Sequence, residues 1–202
     1  MILVGRYVSP FARRVAVVLQ HLDIDYEHRG LSTAEHVAEI RSFNPVGRVP
    51  ALELEDGEVL IDSGAIIDYL NEIAPAGRAV IPASGPARRQ VLKLTAIAHA
   101  AAEKAVALFY ERTRRPQDKV FEDWAHGLEN QVHGGLQALD AAAQDRTWLV
   151  GEEMTVADIT AVCALDAVRL IAPSLLDGHP YPHLTALAER CNALPAFADT
   201  MP

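Results

Sequence analysis

The chain is short of lysine and cysteine, with three and two among 202 residues, and each shortage narrows what it can do. The 18 basic side chains face 27 acidic ones, giving a formal net charge of -9. A polyanionic partner would meet net repulsion, so nucleic acid is not expected as a ligand. The one basic cluster, Arg112, Arg114 and Arg115, has no interleaved aromatics and reads as a solvated helix end. Cys163 and Cys191 form no CxxC pair, which removes a sequence-local redox motif or a zinc knuckle. Cys163 lies on the apolar side of a helical pattern and reads as a small buried hydrophobe.

Other signatures are missing too. No apolar run approaches membrane-spanning length, and the stretch Met1 to Arg6 lacks the basic start of a secretory signal, so a cytoplasmic protein with no membrane partner is expected. His179 and His183 are four apart, but Pro180 and Pro182 prevent the helix that would align them on a metal, and there is no HExxH. No metal site is expected. The glycines are too dispersed for a phosphate-cradling loop or a dinucleotide fingerprint.

What is present is an apolar half of the chain, enough to bury either one large core or two small ones. The period of that apolar pattern changes midway. Ile2 to Tyr7 suits a strand, and Phe11, Val15, Val18, Leu19 and Leu22 then recur at helical spacing, with Ser9 as N-cap and Pro10 in the first turn. A second strand over Tyr26 to Arg29 and a helix from about Thr33 to Phe43 follow. Two strands span Ala51 to Ile61 about an Asp56-Gly57 turn, and a helix runs from Ser63 to about Ile73. The β-α-β-α-β-β-α order implies a small mixed sheet with helices on its faces. Pro75, Gly77, Pro82, Gly85 and Pro86 have linker composition. We therefore expect a domain over residues 1–75, a linker over 76–86 and an all-helical domain over 87–202. Its helices are expected from Ala87 to about Thr113, Asp118 to Ala143, Thr155 to about Ile171, and from near His183. Thr155 and Asp158 have capping-box spacing, which gives Asp158 a structural task.

Three places in the first half converge if that order holds: Ser9, Val49-Pro50 and Asp62-Ser63. Ser9 sits at a strand-to-helix junction, where unpaired N–H groups and the helix dipole favour an anion. A thiol, with a pKa of roughly 8.5, needs such help to be ionised at neutral pH. Pro50 ahead of a strand leaves backbone free to pair with a peptide-like ligand. Asp62-Ser63 opens a helix, and Arg48 is placed to receive a carboxylate. Taken one by one, capping and solvation explain these residues better than a ligand does.

Together they carry a resemblance. Ser9-Pro10-Phe11-Ala12-Arg13-Arg14-Val15, Asn44-Pro45-Val46-Gly47-Arg48-Val49-Pro50-Ala51-Leu52, and Asp62-Ser63 with Ala65 to Leu70 resemble the glutathione transferase family. The Ser-Pro-Phe motif is similar to that of its serine-type, bacterial-like members. Trp148-Leu149-Val150-Gly151 before Thr155-Val156-Ala157-Asp158-Ile159 resembles the family's C-terminal capping-box motif, so the likeness spans most of the chain. The resemblance implies a thioredoxin-like α/β domain joined to an all-α helical bundle, a homodimer, and glutathione as co-substrate.

Residue by residue, it implies that Ser9 hydrogen-bonds the glutathione sulfur, Val49 pairs through its backbone with the cysteinyl part, and Pro50 is the family's cis-proline. Asp62 and Ser63 would receive the γ-glutamyl end, although many relatives have Glu at the first position. Arg48 stands where Lys is frequent, and Phe11 is a wall candidate. Tyr7 is the rival to Ser9, because other classes use a tyrosine near the end of the first strand, and His36 reads as a solvated helix histidine. The implied reaction is attack of a glutathione thiolate on an electrophilic, mainly apolar small molecule, in a detoxifying role. His99, Val106, Phe109 and Tyr110 are pocket candidates that core packing explains equally well. Glutathione-dependent peroxidase or thiol-disulfide reductase activity and a non-catalytic glutathione-binding regulator are the alternatives; the reductase reading lacks the Cys that related classes carry at position 9.

Overall fold

Ile2, Leu3 and Val4 suit a pleated position buried on both sides. They form β1 (Ile2–Val4), an inner strand of a four-stranded sheet. The chain then makes α1 (Pro10–His21), β2 (Glu27–Arg29), α2 (Val37–Phe43), β3 (Ala51–Glu53), β4 (Val59–Ile61) and α3 (Ser63–Glu72). The computed structural model describes residues 1–202. Strand order is β2-β1-β3-β4, with β1 parallel to β2 and antiparallel to β3. Alternation of side chains divides the inner strands between two layers. Val4 and Ala51 pack with Ile40 and Phe43 of α2, while α1 and α3 pack on each other and against β1 and β3.

The expected strand from Ile2 to Tyr7 ends at Val4, because Gly5 turns the backbone to φ 130°, a conformation open to residues without a Cβ. The helix expected from about Thr33 is limited to Val37–Phe43. Chain division also differs from the sequence-based boundaries. One compact unit comprises Met1–Ile81 with Asn192–Pro202, the other Pro82–Cys191. Residues 76–81, expected as linker, belong to the first unit: Val80 and Ile81 are buried, Ile81 N–H donates to Asn71 Oδ1 at 2.7 Å, and the Arg78 guanidinium binds Asp23 and the His21 carbonyl. The tail belongs there as well. Arg13 in α1, only 1% exposed, donates from Nη2 to Asn192 Oδ1 at 3.0 Å and to the Met201 sulfur at 3.0 Å, and lies 6.0 Å from the ring centre of fully buried Phe197. A buried guanidinium requires such partners, and the tail supplies them.

The second unit is helical: α4 (Gly85–Thr113), α5 (Glu122–Ala143), α6 (Val156–Ile171) and most of α7 (Pro182–Asn192), with a last short helix α8 (Pro195–Ala198) lying in the tail. The expected helix start at Asp118 moves to Glu122, since 117–119 form a 3-10 turn and Phe121 N–H is held by the Glu111 carboxylate at 3.1 Å. α4 packs on α5 and α6. Almost every residue of α6 is buried, and Asp158 organises its start. Asp158 Oδ1 accepts from Leu149 N–H at 2.7 Å, and Oδ2 accepts from Thr155 N–H and Thr155 Oγ1, each at 2.9 Å. Burial pushes this carboxyl above its usual range, and the three donors pull it partly back. Both cysteines are buried, and burial pushes the Cys191 thiol up to about 12, far from a reactive thiolate.

Asp158→Asn puts an amide N–H₂ against donors that Oδ2 now satisfies, and thermal or denaturant unfolding should show a loss of about 2 kcal/mol or more. A pH effect is built into the same unit. His133 Nδ1 lies 2.9 Å from Tyr181 Oη and its ring 4.2 Å from that of His179. Burial first, then the charge of His179, hold its pKa below the ordinary 6.5, with Glu129 opposing. The folded state therefore binds fewer protons there than the unfolded chain, so this group's contribution is intact above pH 6.5 and falls as pH drops through that value. His133→Gln should flatten the slope of unfolding midpoint against pH on the acid side.

Candidate functional site

Ser9 is the N-cap of α1, as its place before Pro10 predicts, with extended backbone at φ −76° and ψ 117°. Its Oγ accepts from Ala12 N–H at 3.4 Å, a long bond that leaves the hydroxyl proton free to donate outward. The first turn of α1 has no acidic residue, and the next turn brings two guanidinium groups, Arg13 and Arg14, that are almost fully buried. A helix N-terminus without an acid in its first turn favours an anion at its mouth. Phe11 is buried, 8% exposed.

The Val49-Pro50 peptide bond is cis, and Pro50 is buried at the start of β3. Neither the N–H nor the C=O of Val49 has a backbone partner in the unit. Asn44 shapes the preceding loop: its Nδ2 donates to the Arg48 carbonyl at 2.9 Å, its Oδ1 accepts from Val46 N–H at 3.0 Å, and its carbonyl accepts from Gly47 N–H at 2.8 Å. The Arg48 side chain is exposed.

Asp62 takes φ 69° and ψ 127°, a backbone conformation that non-glycine residues avoid at a cost of roughly 1–3 kcal/mol. From there it caps α3, accepting from Gly64 N–H at 2.7 Å through Oδ1. Ser63 is buried, and its Oγ accepts from Arg14 Nε at 3.0 Å. This bond ties the start of α3 to the helix that Ser9 caps, a link that spacing along the sequence does not reveal.

Gly5 joins the first two places. A Cβ built there would lie 2.9 Å from Val49 Cβ and 3.1 Å from Ala12 Cβ, so α1 and the cis-proline loop approach through the space its missing side chain leaves. Three residue groups expected to converge, Ser9, Val49-Pro50 and Asp62-Ser63, are thus linked through Gly5 and Arg14. The sequence assigned no role to Gly5, Asn44 or Arg14, although the last two lie within the motifs quoted above; the interrupted apolar run at Gly5 was the available signal.

Tyr7 is placed differently. Its ring stacks on His28, with centroids 4.0 Å apart and planes within 3°, and its hydroxyl lies 2.9 Å from Tyr26 Oη. Burial, then the Tyr26 hydroxyl, push its pKa well above the ordinary phenol value of 10.0. His36 is exposed and its Nδ1 accepts from Ser32 N–H at 3.2 Å. In the helical unit, His99, Val106 and Phe109 of α4 are partly buried and Tyr110 is exposed.

A small mixed sheet carrying an N-cap serine, a cis-proline loop and a helix-opening Asp-Ser pair, followed by a helical unit, defines the class. Residues 3–79 match the glutathione S-transferase N-terminal domain model and residues 99–195 the C-terminal one, and the chain belongs to the glutathione S-transferase family. It is 29% identical to the uncharacterised GST-like protein YibF of Escherichia coli, over 100% of this chain and 98% of that one. The maleylacetoacetate isomerase of Pseudomonas aeruginosa is 29% identical over 97% of this chain and 93% of its own length. A crystal structure of a glutathione S-transferase from Methylobacillus flagellatus with glutathione bound superposes with TM-score 0.91 and 31% identity, covering 100% of this chain and 98% of that one. The fold expected from the sequence is the one observed. No helix is long and apolar enough to cross a membrane.

Gly5→Ala should cost about 2 kcal/mol or more, because the new Cβ meets Val49 and Ala12 on a strained backbone. Denaturant unfolding measures the loss; Gly57→Ala, at a positive φ with open space around it, is the control that isolates the backbone part.

Proposed function

We propose that this chain binds glutathione through its first unit and uses Ser9 Oγ–H to hold the sulfur as thiolate for attack on an electrophilic, mainly apolar small molecule. The observation that carries this reading is the free donor of Ser9 at the mouth of α1, a helix with no acid in its first turn. One charge-assisted hydrogen bond to the anion contributes about 2 kcal/mol, and the helix terminus adds to it. Together they bring a thiol of pKa roughly 8.5 toward ionisation at neutral pH.

Glutathione's other groups have partners in kind. Unpaired Val49 backbone matches the cysteinyl amide, Pro50 shapes that edge, and Asp62 with Ser63 receives the γ-glutamyl end. The strained backbone of Asp62 is consistent with a position kept for a ligand rather than for stability. Arg48 is free to swing to the glycyl carboxylate, and Phe11 forms the apolar side of the helix mouth. Tyr7, the rival, has its hydroxyl engaged by Tyr26. This is the serine-type arrangement that the Ser-Pro-Phe motif implies, in a homodimeric, cytoplasmic, detoxifying enzyme. A second reading rests on the isomerase relative, 29% identical along nearly its whole length. A thiolate that adds to an activated double bond and then departs yields an isomer instead of a conjugate.

Calorimetry with reduced glutathione, and turnover with a chlorinated nitrobenzene, a hydroperoxide and a cis-configured unsaturated carboxylate, test the reading. Ser9→Ala should lower conjugation roughly thirtyfold, the equivalent of about 2 kcal/mol, while Tyr7→Phe leaves glutathione binding in place. Binding without turnover on any electrophile would favour a regulatory protein. Loss of activity in Tyr7→Phe with none in Ser9→Ala would sink the assignment of Ser9.

A further inference from the structure

The segment from Gly5 to Ser9 carries the donor hydroxyl, and its attachment to β2 is unusually specific. Gly5 N–H donates to the Arg29 carbonyl at 2.9 Å, and the Gly5 carbonyl lies 2.8 Å from His28 Nε2. A carbonyl only accepts, so Nε2 carries the proton and His28 donates. The His28 ring also supports Tyr7, stacked at 4.0 Å, while Tyr26 Oη holds the Tyr7 hydroxyl at 2.9 Å. Ser9 N–H then donates to the Arg6 carbonyl at 3.0 Å, closing the turn into α1. Core packing does not require an imidazole here. His28 is exposed and, with Tyr7 and Tyr26, borders an open recess of about 350 Å³.

We propose that His28 is a positioning residue for Ser9: by donating to the Gly5 carbonyl and backing the Tyr7 ring, it sets the backbone path that aims the Ser9 hydroxyl at the glutathione sulfur. This rests on the function proposed above. The Gly5 Cα sits against Val49 and Ala12, so a shift of its carbonyl is passed both to the loop that faces the cysteinyl amide and to the start of α1. A hydroxyl donor must lie within a few tenths of an ångström of its productive position to keep its bond to a thiolate, and a misplacement of about 1 Å costs up to a hundredfold.

The test compares wild type, His28→Ala, His28→Phe and His28→Gln as full-length protein. The readouts are the pH titration of bound glutathione by ultraviolet thiolate absorbance, kcat and KM with a chlorinated nitrobenzene, and thermal unfolding. His28→Ala should raise the apparent pKa of the bound thiol and lower kcat roughly tenfold, with KM for glutathione within about twofold. His28→Phe keeps the stack without the donor and should retain the defect, whereas Gln restores a donor and should recover most of kcat. Unchanged thiol titration and kcat in His28→Ala, or defects that merely track a lowered unfolding midpoint in all three variants, would overturn the proposal. Ser9→Ala run in parallel separates the two ideas: if it alone raises the thiol pKa, the serine reading stands and the role of His28 fails. If wild type holds no ionised glutathione, both fall.

Discussion

Two pieces of backbone can approach only as closely as the side chains between them permit, and in the first unit that limit is set at Gly5. With hydrogen in place of Cβ, the end of β1 lies against Val49 on one side and Ala12 on the other. Any larger residue would push α1 away from the cis-proline loop, and with it the Ser9 hydroxyl from the unpaired Val49 backbone. The sheet supplies the rigidity behind this contact, since β1 is an inner strand paired on both edges. The loop facing it is held by Asn44, which replaces absent strand hydrogen bonds with three of its own.

Charge is arranged around the same helix. The chain is acidic overall, yet the start of α1 has no carboxylate and two buried guanidinium groups close behind it. Burial of such groups is costly unless each is bonded, and the structure meets the requirement from two directions. Arg14 is held by Ser63 at the head of α3, and Arg13 by Asn192 and Met201 of the C-terminal tail. The tail's place in the first unit follows from this: Asn192 and Met201, far along the chain, complete the surroundings of a residue in α1. The first turn of α1 is thus left without a carboxylate in a protein whose net charge is −9.

The helical unit makes its own use of one buried carboxylate. Asp158 satisfies three donors at once, fixing the turn from Leu149 to Thr155 to the head of α6. Both cysteines are buried as well, and burial pushes the Cys191 thiol away from ionisation.

Much of this was legible in the residues. Apolar period separated the strands from the helices, and Ser9-Pro10, Asp56-Gly57 and Thr155 with Asp158 marked a helix start, a hairpin and a capping box, because each is governed by neighbours within a few positions. The same local rules misplaced the end of β1, the start of α5 and the membership of residues 76–81 and 192–202, where Gly5, Glu111, Arg78 and Arg13 act through partners distant in sequence. Apolar period and motif by themselves determined the fold class and where its helix caps and turns fall, since these are local choices of backbone conformation. Only the tertiary structure decided that the Tyr7 hydroxyl turns to Tyr26 while that of Ser9 keeps a free proton, that Gly5 lies against Val49 and Ala12, and that Asn44, Arg14 and His28 bind the Arg48 carbonyl, Ser63 and the Gly5 carbonyl. Those outcomes depend on which distant groups packing brings within hydrogen-bonding distance, and no periodicity along the chain encodes that.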